Sequence, residues 1–190
     1  MFNTLLRLLG VGSADHRILF AEKRYPPLVK FKARLDRAPT GSVLFLDIDG
    51  VLHPGNSETF SRMALLVSLL QLEPTASIVI SSSWRKSCDY DHLKSYFPKG
   101  IRDRVIGHTG EVAGELSRHR EICEFVGRFN VRAFVAIDDD DSLFPSHCHY
   151  LIKTDPAIGL TDAVVARTLR AITRVLDMQL SAIAPNLRRT

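Results

Sequence analysis

Short apolar runs that alternate with helical patterns constrain the fold of this chain more than any other feature. Five such runs, rich in β-branched residues, are predicted strands: Val43–Leu46, Ser77–Ile80, Val105–Ile106, Ala133–Ile137 and Tyr150–Lys153. Runs without polar alternation are typical of strands whose two faces are both buried. Separated by helices, they predict an α/β fold in which helices flank both faces of a parallel sheet.

Four segments carry the helical patterns that separate or follow these strands. The first spans Phe60 to Leu72 and repeats apolar residues along one face. The others span Asp89 to Phe97, about Arg118 to Phe129, and the residues after Thr161, a predicted N-cap, to about Leu180.

Charge divides the chain of 190 residues into two parts. Residues 1–40 carry eight basic and three acidic side chains, whereas the remainder carries 17 basic and 18 acidic ones. The formal charge of +4 therefore belongs to the first part. Turn-forming residues at 38–42 separate the two parts. We expect a basic N-terminal extension over 1–40, a folded domain over 41–182 and a C-terminal tail over 183–190.

The N-terminal extension combines its basic charge with an apolar stripe. Phe2, Leu5, Leu6 and Leu9 have the spacing of one face of a short helix. Such a stripe docks on its own domain or on a second subunit, and the second case predicts a homo-oligomer. The basic charge favours a phosphate backbone or an anionic lipid as partner, and the alternative is a solvated arm without a partner.

Composition and cysteine usage indicate the cellular context. With 45% hydrophobic and 24% charged residues, the chain has the composition of a soluble globular protein. Cys88, Cys123 and Cys148 are odd in number and lack C-x-x-C spacing, which argues against a disulfide framework. No transmembrane segment or clear export signal is visible, and we predict a cytoplasmic protein with reduced thiols.

Acids, hydroxyls and cations stand where the predicted strands end, which is where open parallel sheets bind their ligands. These residues are Asp47 and Asp49, Ser81–Ser83, Asp138–Asp141, and Arg118 and Arg120 at the start of a helix. Carboxylates repel a phosphate unless a cation lies between them, and Mg²⁺ prefers carboxylate, water and phosphate oxygens. The set predicts a site for a divalent cation and a phosphate.

Four motifs in this order resemble those of the haloacid dehalogenase (HAD) superfamily of phosphohydrolases. Leu44-Phe-Leu-Asp-Ile-Asp-Gly-Val-Leu-His-Pro54 resembles motif I, and Ser81–Ser83, Arg118 and Asp138-Asp139 resemble motifs II, III and IV. Asp-Gly-Val-Leu-His-Pro, Ser-Ser-Trp-Arg, Arg-x-x-Glu-Ile and Ile-Asp-Asp together resemble the HAD domain of Swiss Army Knife RNA repair proteins. The resemblance covers roughly residues 42 to 160 and implies a Rossmann-like HAD fold.

The resemblance also implies a two-step phosphoryl transfer. Asp47 is expected to be the nucleophile that forms an aspartyl-phosphate. Asp49 is expected to act as general acid and then as general base. The carboxylate of Asp47, the backbone carbonyl of Asp49, and Asp138 or Asp139 are expected to bind Mg²⁺.

Ser82 and Arg118 are the expected phosphate-binding side chains. Ser82 is favoured because it stands two residues before Trp84, and a slip of one residue to Ser81 stays open. The superfamily commonly has Lys at motif III. Arg118 is favoured over Arg120 because it lies three residues before Glu121.

The spacing of the motifs leaves no room for a sizeable cap domain. Only 31 residues separate Asp49 from Ser81, and 35 separate Ser82 from Arg118. An open site admits a large substrate such as a nucleic acid end or a phosphoprotein, with a nucleotide or another small phosphomonoester as the alternative. The rival classes are a phospho-accepting module and a catalytically silent HAD-like binding module. The presence of both Asp47 and Asp49 argues against a catalytically silent module.

Overall fold

The computed structural model describes residues 32–55, 57 and 59–187. The apolar stripe and most of the basic extension predicted for the N-terminus lie outside these residues. The strands are β1 (Arg34–Leu35), β2 (Val43–Leu46), β3 (Ser77–Ile80), β4 (Val105–His108), β5 (Phe134–Asp138) and β6 (Leu151–Lys153). The α-helices are α1 (Met63–Leu72), α2 (Tyr90–Ser95), α3 (Lys99–Arg102), α4 (Ser117–Phe129) and α5 (Asp162–Leu187).

The strands form one mostly parallel sheet in the order β1-β4-β3-β2-β5-β6. Strand β1 pairs antiparallel with β4, and the other neighbours pair parallel. Among the described residues, no domain is inserted between β2 and β3 or between β3 and α4. The predicted α/β fold without a sizeable cap is confirmed.

Both faces of the sheet are buried, as the apolar runs predict. In β2, Leu44 and Leu46 face a core that α1, α2, α3 and α5 cover, whereas Val43 and Phe45 face the core beneath α4. Successive side chains of a strand point to opposite faces, so every position of β2 has to be apolar. The ring of Phe45 meets that of Phe125 on α4 edge to face, with 5.5 Å between the centroids.

Helix α1 and strand β1 differ from the expectation for local reasons. Helix α1 begins at Met63 instead of Phe60 because Phe60 has a φ of 49°, which is left-handed and incompatible with a right-handed helix. Strand β1 lies before residue 41, within the segment assigned to the extension. It fits against β4 because residue 107 is glycine. A Cβ at this position would overlap the carbonyl oxygen of Arg34.

Helix α5 extends the fold at its C-terminal end. It runs to Leu187 and so continues beyond the domain end expected at residue 182. Its buried side chains, among them Val165 and Ile172, pack in the same core as α1. Within the described part of the chain, no helix is long and apolar enough to cross a membrane.

Candidate active site

The register of the three central strands brings polar residues into one row. Leu46 of β2 pairs with Ile80 of β3 and with Ile137 of β5. The residues that directly follow these three in the sequence are Asp47, Ser81 and Asp138, and all three are buried. Side chains at matched positions of neighbouring parallel strands point to the same face. The row therefore lies at the carboxyl edge of the sheet, on the face that α4 covers.

A cluster of three carboxylates occupies one side of this row. Oxygens of Asp47, Asp138 and Asp139, here called the acidic cluster, all lie within 4.8 Å of one another. Gly50 allows the approach because its φ is 62° and because a Cβ at this position would overlap the Asp139 carboxylate. Burial raises the pKa of Asp138 to about 7, opposed by Arg118 and assisted by the charge of Asp47.

The acidic cluster fits a magnesium ion. Burial also raises the pKa of Asp139. The negative charge of Asp47 raises it further, because the two carboxylates repel each other. Hard carboxylate oxygens are the ligands that Mg²⁺ takes in proteins. A divalent cation offsets the repulsion between these buried carboxylates. The donor chemistry and the charge imbalance both match the predicted cofactor.

The guanidinium of Arg118 faces the row from the first turn of α4. Its Nη1 lies 2.5 Å from Asp138 Oδ2, 3.4 Å from Asp47 Oδ1 and 3.5 Å from Ser81 Oγ. Burial alone lowers its pKa, but the nearby carboxylates outweigh burial and raise the pKa above the usual value. Arg120 points elsewhere, since its Nη1 donates to the carbonyl of Ala113. Arg118 is thus the motif III candidate that reaches the row.

The two serine candidates for phosphate binding differ in their surroundings. Ser81 stands in the row, with its hydroxyl beside Arg118. The Ser82 hydroxyl instead accepts a 3.3 Å hydrogen bond from the backbone N–H of Trp84 and caps the 3₁₀-helix Ser83–Lys86. The spacing to Trp84 favours Ser82, with Ser81 as the alternative. The register of β3 against β2 instead favours Ser81 as the phosphate-binding hydroxyl.

Asp49 lies beside the row, at the mouth of the site. Its side chain is 45% exposed, in contrast to the buried acids of the row. The indole Nε1–H of Trp84 donates to Asp49 Oδ2 at 2.8 Å. The Nε2 atom of the buried His53 lies 3.4 Å from Asp49 Oδ1, and its Nδ1 pairs with the carbonyl of Pro54 at 2.8 Å. The Trp84 N–H therefore orients this carboxylate, whereas His53 Nε2 makes no hydrogen bond among the described residues.

Trp84 is a contact residue of the site to which the motifs assign no role. Its ring packs edge to face against Phe60 and Tyr96, at 5.7 Å and 5.9 Å between the centroids. Its N–H also orients Asp49, which is 35 residues away in the chain. The sequence signal for this contact is the position of an aromatic residue with an N–H donor directly after the serine cluster.

The mostly parallel sheet flanked by helices, with an acidic cluster beyond its central strands, is consistent with the Rossmann-like fold of the HAD superfamily. A family model described as the HAD domain in Swiss Army Knife RNA repair proteins matches residues 43–165, and the chain belongs to this family. The resemblance seen in the sequence is thereby confirmed. Neither the curated proteins nor the solved structures contain a significant match to the chain.

Proposed function

We propose that the protein is a Mg²⁺-dependent phosphomonoesterase that acts through an aspartyl-phosphate on Asp47. The observation that carries this proposal is the position of Asp47 in the row. Its carboxylate lies in the acidic cluster and 3.4 Å from the guanidinium of Arg118. A nucleophile, a cation for the phosphoryl group and ligands for a metal thus converge at one point.

The first step transfers the phosphoryl group to the protein. A carboxylate oxygen of Asp47 attacks the phosphorus, and the bond from phosphorus to the leaving oxygen breaks. Asp49 donates its proton to that oxygen as general acid. Asp49 suits this role because it flanks the row at the exposed mouth, where a leaving group has room to depart.

The second step regenerates the protein. A water molecule attacks the phosphorus of the aspartyl-phosphate and gives a proton to the Asp49 carboxylate, now a general base. The bond from phosphorus to Asp47 breaks, and inorganic phosphate leaves. In both steps Arg118 and the Ser81 hydroxyl hold the phosphoryl oxygens and offset their charge.

The acidic cluster and the backbone carbonyl of Asp49 would hold the Mg²⁺ ion. When bound, the ion supplies positive charge that offsets the repulsion between carboxylates and phosphate. Phosphate and carboxylates can then occupy one site. This assignment includes Asp47, Asp138 and Asp139. It leaves open which of Asp138 and Asp139 binds the ion directly.

A terminal phosphate on a polynucleotide is the substrate that we favour. The family description links such domains to RNA repair proteins, and the described residues contain no cap that would exclude a large substrate. A nucleotide or another small phosphomonoester is the rival substrate. The homo-oligomer predicted from the N-terminal stripe and the cytoplasmic location remain predictions.

The test is Mg²⁺-dependent phosphate release from an aryl phosphate. We expect Asp47→Asn to abolish release, and Asp140→Asn, which alters an exposed acid of the neighbouring loop, to retain it. Release that persists in Asp47→Asn overturns the mechanism. No release by the wild-type protein from any substrate favours the silent binding module.

The substrate class is tested with a panel of phosphate esters. The panel contains nucleotides, sugar phosphates, phosphopeptides, and RNA and DNA with terminal phosphates. It is run with the full chain and with a deletion of residues 1–31. The deletion stops there because β1, at Arg34–Leu35, belongs to the sheet. We expect the highest kcat/KM with an end-phosphorylated polynucleotide.

A further inference from the structure

A buried arginine lies behind the row and connects two strand ends. The guanidinium of Arg85, on the 3₁₀-helix after β3, donates to the carbonyls of Ser81 and Ser82 beyond β3. It also donates to the backbone carbonyls of Thr109, at 3.1 Å, and Gly110, at 2.8 Å, which lie beyond β4. The side chain is 1% exposed. Arg85 thus ties together the chain segments next to the row.

Arg85 forms a buried ion pair with Glu121 of α4, and Glu121 reaches the cation of the site. Glu121 Oε2 lies 2.6 Å from Arg85 Nη2 and 3.6 Å from Arg118 Nε. Its other oxygen accepts the backbone N–H of Val112 at 3.4 Å. One carboxylate oxygen therefore lies between two guanidinium groups, of which only Arg118 faces the row.

We infer that the Arg85–Glu121 pair positions Arg118 for phosphate binding. Arg118 has a flexible side chain, and its Nη1 has to face Asp47 and Asp138 while its Nε faces Glu121. Without the carboxylate, Arg85 and Arg118 repel each other and the guanidinium turns away from the row. The Arg85 hydrogen bonds fix Glu121 relative to the β3 and β4 ends, so the orientation of Arg118 is coupled to the sheet.

This role rests on the proposed function only in taking Arg118 as the cation that binds the phosphoryl group. Removing one partner of a buried ion pair also destabilises a fold, so stability alone does not test positioning. The informative quantity is the coupling between Glu121 and Arg118 in the binding of an anion.

The experiment measures the affinity of the full chain for inorganic phosphate by titration calorimetry with Mg²⁺ present. We expect Glu121→Gln to weaken phosphate binding about tenfold, the lower end for residues that orient a ligand-binding group. Glu124→Gln, the same change about one turn along α4 at a less buried position, is the matched control and keeps the affinity within about twofold. In an Arg118→Lys background, Glu121→Gln is expected to have no further effect.

Glu121→Asp provides a second variant if Glu121→Gln does not fold. It keeps the charge but withdraws the carboxylate by one methylene, and we expect an intermediate loss of phosphate affinity. Wild-type affinity in a folded Glu121 variant overturns the inference, as does an equal further loss in the Arg118→Lys background. Absence of phosphate binding by the wild-type protein also overturns it. A protein that binds phosphate but releases none from esters refutes the proposed function alone.

Discussion

The indole N–H of Trp84 donates a 2.8 Å hydrogen bond to Oδ2 of Asp49. This bond joins the 3₁₀-helix after β3 to the loop after β2, and it orients a carboxylate that is about half exposed. If Asp49 is the general acid, Trp84 sets the direction from which the proton reaches the leaving oxygen. The pair therefore gives the first prediction.

Trp84→Phe keeps an aromatic ring against Phe60 and Tyr96 but removes the donor. We expect kcat for an alkyl phosphate to fall on the order of tenfold, a fraction of the ~10²- to 10⁴-fold that general acid catalysis supplies. An aryl phosphate needs little protonation of its leaving oxygen and should lose less. Tyr96→Phe, which removes only a hydroxyl bonded to His92, is the control. Equal losses of kcat on the alkyl and aryl phosphates would contradict the role of Trp84 in orienting Asp49 as the general acid.

Asp49→Asn separates the two steps of the proposed reaction. With a good aryl leaving group the first step needs no acid, whereas the second step still needs a base. Stopped-flow measurement should show a burst of the aryl product stoichiometric with the protein. The steady rate that follows should be ~10²- to 10⁴-fold below wild type. An alkyl phosphate should give no burst, and an aryl phosphate turned over at the wild-type rate would refute the role of Asp49.

Mg²⁺ binding to the acidic cluster should stabilise the fold. A ligand at 100 times its Kd adds about 2.7 kcal/mol to the free energy of unfolding, which thermal melts with and without Mg²⁺ detect. Asp139→Asn should remove most of this gain, and it is preferred to a change at Asp138 because Asp138 also pairs with Arg118. Asp141→Asn, an exposed acid paired with Lys153, should keep the gain. An unchanged gain in Asp139→Asn would place the metal elsewhere.

Much of the site could be predicted because parallel strands bring their carboxyl ends together. An apolar run followed by Asp47, and another followed by Asp138, are enough to place both acids at one edge. The choice between Ser81 and Ser82 could not be made in this way. A shift of one residue moves a side chain to the other face of the sheet, and only the register of β3 against β2 resolves it.

The contact between Arg85 and Glu121 could not be predicted from the sequence. Both residues stand in motifs of the family resemblance, but no local pattern pairs them. Their burial as a pair depends on how α4 covers the ends of β3 and β4. Strand β1, with two residues, is too short to show periodicity. It forms because β4 offers an edge on which Gly107 admits the Arg34 carbonyl.

A buried histidine should make stability depend on pH. Burial, assisted by His149, lowers the pKa of His119 to about 4, and its Nδ1 lies 2.5 Å from the Tyr150 hydroxyl. Between pH 6.5 and 4 the unfolded chain binds this proton and the folded protein does not. The free energy of unfolding therefore falls as pH falls through this window, by on the order of 2 kcal/mol at pH 5 from this group.

His119→Gln removes the titrating group and keeps a polar side chain near Tyr150. Urea denaturation at pH 7.5 and pH 5 should show a smaller loss of stability in the variant than in the wild-type protein. Parallel losses in the two proteins would show that His119 does not titrate differently on folding.

Covalent trapping of the phosphoryl group tests whether Asp47 is the nucleophile. The protein is mixed with an aryl phosphate and Mg²⁺, quenched in acid, which preserves acyl phosphates, digested with pepsin and examined by mass spectrometry. We expect one added phosphoryl group on Asp47, lost after treatment with alkali, and none in Asp47→Asn. A phosphoryl group on another residue, or phosphate release from Asp47→Asn at the wild-type rate, would contradict this role of Asp47.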